Sequence, residues 1–181
     1  TLIKNASTVG AIDLGFYNSE EKNNFVFFDK LKNKNFKLLY LVGSDNLEIK
    51  KSDEFIIYQG SHGDKGAEIA DVILPSPSYT EQDGIFENLE GRLQECRKAS
   101  YPTNDAIEDW KIFNLINNNL NKSNLFNNFK SLRENTLKEI PNFSEIGLLP
   151  KKNKISSQES SVVASSEKIE IKAIDYYFSN S

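Results

Sequence analysis

Three short, unbroken apolar runs, each halted by glycine or proline, constrain this chain more than any other feature. Phe36-Lys-Leu-Leu-Tyr-Leu-Val42 stops at Gly43-Ser-Asp-Asn46. Phe55-Ile-Ile-Tyr58 stops at Gln59-Gly-Ser-His-Gly-Asp64, and Val72-Ile-Leu74 stops at Pro75 and Pro77. Runs of this length are strand-sized, and continuous rather than alternating hydrophobicity marks a strand covered on both faces. The gaps between them hold short elements, with Ala67-Glu-Ile-Ala-Asp71 reading as a short helix. Buried strands joined in this way predict a parallel α/β sheet. A length of 181 residues, 38% of them hydrophobic, suits one domain with a core.

The flanks read differently. Ala6-Ser-Thr-Val-Gly-Ala-Ile-Asp-Leu-Gly15 is rich in small residues and is expected to be a loop, with Gly10 and Gly15 supplying backbone freedom. A polar stretch around Asn18–Asn24 leads to a further strand-sized run, Phe25-Val-Phe-Phe28. After the prolines, Tyr79 to Arg92 alternates turn signals with single apolar residues and predicts an irregular, hydrogen-bonded segment. A helix is expected to start at Asn104 or Asp105 as cap, with Glu108 and Asp109 in its first turn and Trp110, Phe113, Leu115 and Ile116 inward. Asn117-Asn-Asn119 would end or fray it. A second helix is expected over Asn124–Ile140, where Leu125, Phe129, Leu132, Thr136 and Ile140 recur near helical spacing before Pro141. Residues 1–149 thus form the main unit, 150–167 a Lys-, Ser- and Gln-rich polar linker, and 168–181 a period-2 strand with the aromatic anchor Tyr176-Tyr-Phe178.

Composition excludes several functions. With 22 basic and 26 acidic side chains the net charge is −4, which argues against a nucleic-acid partner. No stretch approaches the roughly 18 apolar residues of a membrane span. The single cysteine, Cys96, cannot make an internal disulfide, a cysteine zinc site or an iron–sulfur cluster, and the single histidine, His62, rules out a multi-histidine metal site. The sequence contains no methionine, so the chain is expected to begin after processing or to be a piece of something longer, and Thr1 opens no signal-peptide pattern.

Few residues have the chemistry for a site. His62 in Ser61-His-Gly-Asp64 resembles half of a catalytic pair, but no Gly-x-Ser-x-Gly elbow accompanies it, and a turn residue at a strand end is the favoured reading. Cys96 lies between Glu95 and Arg97, where Glu90 and Glu95 oppose activation of the thiol. Glu81, Asp83, Glu87, Glu90 and Glu95 are dense enough to suggest a divalent cation, yet Arg92, Arg97 and Lys98 lie nearby and a network that fixes the loop is favoured. Gly60, Gly63 and Gly66 precede a short helix as in a phosphate cradle. Their spacing differs from the dinucleotide fingerprint and Asp64 would repel an anion, so close backbone packing is preferred. Asn-x-Ser matches at Asn5, Asn121 and Asn142 are expected by chance in so Asn-rich a chain. No catalytic, cofactor-binding or metal-ligating residue is assigned.

Longer motifs carry a resemblance. Ala70-Asp-Val-Ile-Leu-Pro75, Tyr79-Thr-Glu81 and Asn88-Leu-Glu-Gly-Arg92 are similar to the molybdopterin oxidoreductase superfamily, formate dehydrogenases included. Tyr58-Gln-Gly-Ser-His-Gly-Asp64, Glu108-Asp-Trp-Lys111, Val9-Gly-Ala-Ile-Asp-Leu-Gly-Phe16 and the closing Ile174-Asp-Tyr-Tyr-Phe-Ser-Asn-Ser181 resemble the C-terminal part of the large iron–sulfur subunits of respiratory complex I in particular. The resemblance implies a parallel-sheet, Rossmann-like portion of the molybdopterin oxidoreductase fold, followed by helices and an extended tail. It implies a scaffold role in NADH:ubiquinone oxidoreductase, with no catalytic residue and no cofactor in this chain and the iron–sulfur clusters in an N-terminal portion or on a partner chain. Partners would be the other subunits of the peripheral arm, on the matrix side of the mitochondrial inner membrane or the cytoplasmic face of a bacterial one. The alternative is the closing portion of an active molybdopterin enzyme of formate-dehydrogenase type. Under the scaffold reading, Glu90 and Arg92 are expected to form an ion pair that pins the irregular segment.

Overall fold

The computed structural model describes residues 6–16, 29–33, 36–44, 49–140, 143 and 145–148. The linker at 150–167, the strand and aromatic anchor at 168–181, the run Phe25–Phe28, and Asn5 and Asn142 lie outside the described residues. The three apolar runs form β1 (Leu38–Val42), β2 (Phe55–Gly60) and β3 (Val72–Pro75), a parallel sheet in the order β1-β2-β3. The register pairs Leu39 with Ile56, Leu41 with Tyr58, and Tyr58 with Ile73. One face is the core: Leu39, Leu41, Ile56 and Tyr58 are buried together, with Leu31, Ile49, Ala67, Ile69 and Ala70 packed against them. Burial of each of the three aliphatic side chains contributes about 1.5–3 kcal/mol. The expectation that both faces are covered needs correction. Leu38 is 55% exposed, Val42 51% and Phe55 46%, because among the described residues that second face is roofed only in part, with Phe113 stacked on Tyr40 at 6.0 Å.

The turn into β3 shows why Asp71 sits there. Its backbone N–H donates to Ile56 O at 2.8 Å, and its carboxylate accepts from Ile56 N at 2.8 Å and from Lys51 Nζ at 2.5 Å. One residue thereby fixes the register of β3 against β2. Lys65–Glu68 forms a single helical turn, α2, between those strands.

The segment expected to be a loop is a helix, α1 (Ala6–Asp13). Gly15 is its stop signal rather than loop filler. Its φ of +78° lets Phe16 N donate back to Ala11 O and Gly15 N to Ile12 O, the paired bonds of a Schellman cap. The small residues let α1 lie against a second sheet, the antiparallel hairpin of β4 (Gly84–Glu87) and β5 (Leu93–Cys96). The stretch from Tyr79 to Arg92 is therefore irregular only until Asp83. Asn88-Leu-Glu-Gly-Arg92 is the hairpin turn: Asn88 Oδ1 accepts from Glu90 N at 3.0 Å and Arg92 N at 2.9 Å, while Gly91 takes a φ of +77°.

Two helices follow. The first, α3 (Asp109–Asn121), begins later than expected, with Glu108 rather than Asn104 or Asp105 at its N-cap. Asn104 instead takes a positive φ of +50° in the preceding turn, a conformation that Asn tolerates. Ile112 is its buried residue, whereas Phe113 and Leu115 are 40% and 55% exposed rather than inward. The Asn117–Asn119 run continues the helix, which Lys122 ends in the left-handed conformation. The second, α4 (Phe129–Glu139), starts at the Asn128–Ser131 capping box and leaves Leu125 outside it, 51% exposed.

Candidate functional site: the crevice at the strand ends

Open parallel sheets bind ligands beyond the carboxyl ends of their strands. A cavity of about 430 Å³ lies there, between the ends of β2 and β3 and the turn before α3. Gly60, Ser61, His62, Pro75, Ser76, Ser78 and Glu81 line one side, with Thr103, Asn104, Asp105 and Ala106 on the other.

The glycine triplet resolves into two kinds of position. A Cβ on Gly60 would lie 2.3 Å from the Tyr58 hydroxyl, and one on Gly66 would lie 2.7 Å from the Tyr58 ring and 2.8 Å from the Ser44 carbonyl oxygen. Both therefore serve close packing around a fully buried tyrosine, as expected, while a Cβ on Gly63 would meet nothing within 4 Å. The Tyr58 hydroxyl donates to the His62 carbonyl at 2.9 Å, so the backbone of the Ser61–Asp64 loop is held from the core side. The His62 ring is exposed and pairs with Ser61 Oγ at 2.8 Å through Nδ1, not with Asp64. This is the turn residue the sequence predicts.

The carboxylate cluster does not converge. Glu81 accepts from Ser78 N at 3.0 Å, closing a local turn, and Asp83 accepts from Lys98 N at 2.9 Å, joining the two segments at the open end of the β4–β5 hairpin. Glu95 pairs with Arg97 at 2.9 Å and Arg133 at 2.8 Å, which ties β5 to α4. Cys96 is half-buried, its thiol 3.8 Å from the Arg97 carbonyl oxygen. The expected Glu90–Arg92 ion pair does not form. Arg92 Nη2 donates to Gly147 O at 3.2 Å, because the hairpin turn aims the guanidinium at the 145–148 segment, while Glu90 is exposed. Glu87 stands apart: both carboxyl oxygens are out of contact with solvent and lack a donor, and burial, with Asp13 beside it, pushes it up to about 7. Among the described residues no three His, Cys, Asp or Glu side chains gather as a metal site.

Beneath the crevice runs a polar chain that residue patterns do not announce. The Tyr40 hydroxyl donates to Gln59 Oε1 at 2.6 Å, and Gln59 Nε2 donates to Asp109 Oδ1 at 2.6 Å. Gln82 Nε2 reaches Asp109 Oδ2 at 3.1 Å and Pro77 O at 3.4 Å. Gln59 is fully buried, so these bonds satisfy a side chain that no water reaches. Burial, with the Asp109 charge adding to it, raises the Tyr40 phenol above its usual value. Asp109 also places its charge at the start of α3, where the helix dipole favours it. Next to it, Glu108 accepts from Trp110 Nε1 at 2.8 Å and pairs with Lys111 at 3.2 Å and Lys98 at 3.5 Å. Burial alone would raise its carboxyl, but the indole N–H and the two lysines outweigh that and hold it below the usual range. The motif Glu108-Asp-Trp-Lys111 is thus a joint between helix, crevice floor and hairpin.

The lining tests the fold's implied cofactor, a pterin dinucleotide. A pyrophosphate needs cations or a cradle of free backbone N–H groups. Among the described residues, this lining offers Glu81 and Asp105, one imidazole, and no lysine or arginine. The space beside two of the three glycines is filled by Tyr58. The described lining residues do not fit the pyrophosphate of such a group.

Comparison with known proteins agrees with the geometry. The family model described as molybdopterin oxidoreductase matches residues 1–119. The chain is 40% identical over 180 residues to a protein of Rickettsia bellii named as a subunit of NADH-quinone oxidoreductase, covering 99% of this chain and 25% of that protein. It is 39% identical over 156 residues to the NADH-ubiquinone oxidoreductase 75 kDa subunit of Reclinomonas americana, covering 86% of this chain and 22% of that one. The NADH-ubiquinone oxidoreductase 78 kDa subunit, mitochondrial, of Candida albicans is 42% identical over 134 residues, which is 73% of this chain and 17% of that protein. The chain spans a quarter or less of the length of these curated relatives. By its parallel sheet, its strand-end crevice and the match over residues 1–119, the chain belongs to the molybdopterin oxidoreductase family.

Proposed function

We propose that this chain is a scaffold portion of the large iron–sulfur subunit of NADH:quinone oxidoreductase, respiratory complex I. It supports electron transfer from NADH to quinone without a redox centre in this segment, the iron–sulfur clusters lying on an N-terminal portion or a partner chain. The reading takes its identity from relatives named as subunits of that enzyme. The observation that carries the scaffold role is the crevice itself, whose lining puts carboxylates where a pyrophosphate would need cations. The Gln59–Asp109 chain and the Glu108 joint below it use polar side chains to brace the fold rather than to meet a ligand. Partners are the other peripheral-arm subunits, on the matrix side of the mitochondrial inner membrane or the cytoplasmic face of a bacterial one. No helix among the described residues is long and apolar enough to cross a membrane.

Native electrophoresis of detergent-solubilised membranes, probed for this chain and stained for NADH oxidation, tests the reading. Co-migration with the NADH-oxidising band is expected, together with iron but no molybdenum in that band. Migration elsewhere, or stoichiometric molybdenum, overturns it.

A further inference from the structure

The contact between α1 and the β4–β5 hairpin is built around an unusual pair of acids. Glu87 is the titratable residue of β4 and Asp13 that of α1. The backbone at Gly10 lies over Glu87 so closely that a Cβ there would sit 3.6 Å from Oε2. Both Glu87 oxygens are shielded from solvent with no N–H or O–H aimed at them, and the nearby Asp13 charge adds to burial in disfavouring the ionised form. Two ionised carboxylates cannot bond one another, and a buried acceptor pair without a donor is costly. A single proton removes both problems.

We propose that Glu87 holds a proton while α1 is docked over it, and that loss of this proton to solvent loosens α1 from the hairpin, making this contact a pH-sensitive latch. Among the described residues no other charged group around the contact takes over the role. Glu95 on β5 is engaged by Arg97 and Arg133, Glu90 in the turn is exposed, Arg92 donates through Nη2 to Gly147 O while its Nε is buried with no hydrogen bond to Glu87 or any other acceptor, and Glu145 has an interaction of its own. The sign follows from Glu87, whose value rises from 4.5 to about 7 through burial and then Asp13. The docked form binds the proton more tightly than the open form. Docking is therefore strongest below pH 4.5, weakens as pH climbs from 4.5 to about 7, and levels off above.

Amide hydrogen exchange on the full chain between pH 5 and 8 tests this, read at Leu14, Gly15 and Phe16, whose N–H groups close the α1 cap. After correction for intrinsic base catalysis, the opening constant of α1 is expected to rise about tenfold to a hundredfold up to neutrality, with solvent at the half-buried Asp13 limiting the span. In Glu87→Gln the constant should be flat with pH. An equal slope in that variant, or none in the unmodified chain, overturns the latch. Carbon-13 carboxyl shifts of the unmodified chain decide independently of whether the variant folds: Glu87 titrating near 7 supports the latch, and titration near 4.5 refutes it.

Discussion

Replacing Asp109 with alanine strikes the polar chain that joins the sheet, the Pro77–Gln82 segment and α3. Asp109 Oδ1 accepts from Gln59 Nε2 at 2.6 Å, and Gln59 is fully buried, so truncation strands an amide donor where water does not reach. An orphaned buried donor costs about 1–3 kcal/mol, and bonds to a charged acceptor are worth about 1.5–3 kcal/mol. Gln82 loses its 3.1 Å bond as well but keeps the weaker one to Pro77 O, which limits the second loss. The first turn of α3 also gives up a favourable charge worth about 0.3–1 kcal/mol. Taken together, Asp109→Ala should destabilise the chain by about 2–4 kcal/mol, or roughly 5–15 °C in Tm for a protein of this size. The clean measurement is a double-mutant cycle by urea denaturation with Gln59→Leu, which replaces the amide by an apolar group of similar length. If the two residues act through each other, the cycle should return a coupling of about 1.5–3 kcal/mol. Asp109→Asn should fall between, since its oxygen still accepts from Gln59 while its amide opposes that of Gln82. Coupling within about 0.3 kcal/mol of zero would refute the account and reduce Asp109 to a helix-end charge.

Two further outcomes follow from the packing and the strand turn. Gly66→Ala should cost about 1–3 kcal/mol, because its new methyl meets the Tyr58 ring at 2.7 Å and the Ser44 carbonyl at 2.8 Å, whereas Gly63→Ala should stay within about 0.5 kcal/mol; thermal melts of the pair check it. Asp71 is held below its ordinary 3.8 by the hydrogen bond from Lys51 and then by that from Ile56 N, so its contribution is present above pH 3.8 and lost as pH falls further. Urea midpoints measured from pH 2.5 to 6 should therefore drop on the acid side in the unmodified chain and flatten there in Asp71→Asn, and identical acid limbs would contradict the role given to Asp71.

What could be read from the chain in advance divides along physical lines. The strands were legible because Leu38–Val42, Phe55–Tyr58 and Val72–Leu74 are continuous apolar runs and glycine or proline marks where each ends, although their composition overstates how much of each strand is buried. The helix α1 is not legible, since Gly10 and small side chains weaken any local helical signal and its stability comes from lying on β4; the informative mark is Gly15, whose positive φ stops the helix. The start of α3 was misplaced because Asn104 is both a good cap and a good left-handed turn residue, and tertiary contacts at Glu108 decided between them. In the crevice, the roles of Gly60 and Gly66 were anticipated, because close packing competes with phosphate binding wherever an anion would meet Asp64. The roles of Gln59 and Glu87 are not legible in the sequence, for a shared reason. A polar residue beside an apolar run, or an acid among acids, looks solvated until distant segments are folded over it.

The ring of Tyr58 occupies the volume that side chains at positions 60 and 66 would claim. A descendant chain that shrinks the tyrosine frees both glycines at a stroke, while one that keeps it must tolerate no enlargement at either. The three sites are thus bound into one heritable unit, and change among them should arrive in concert, the tyrosine yielding first.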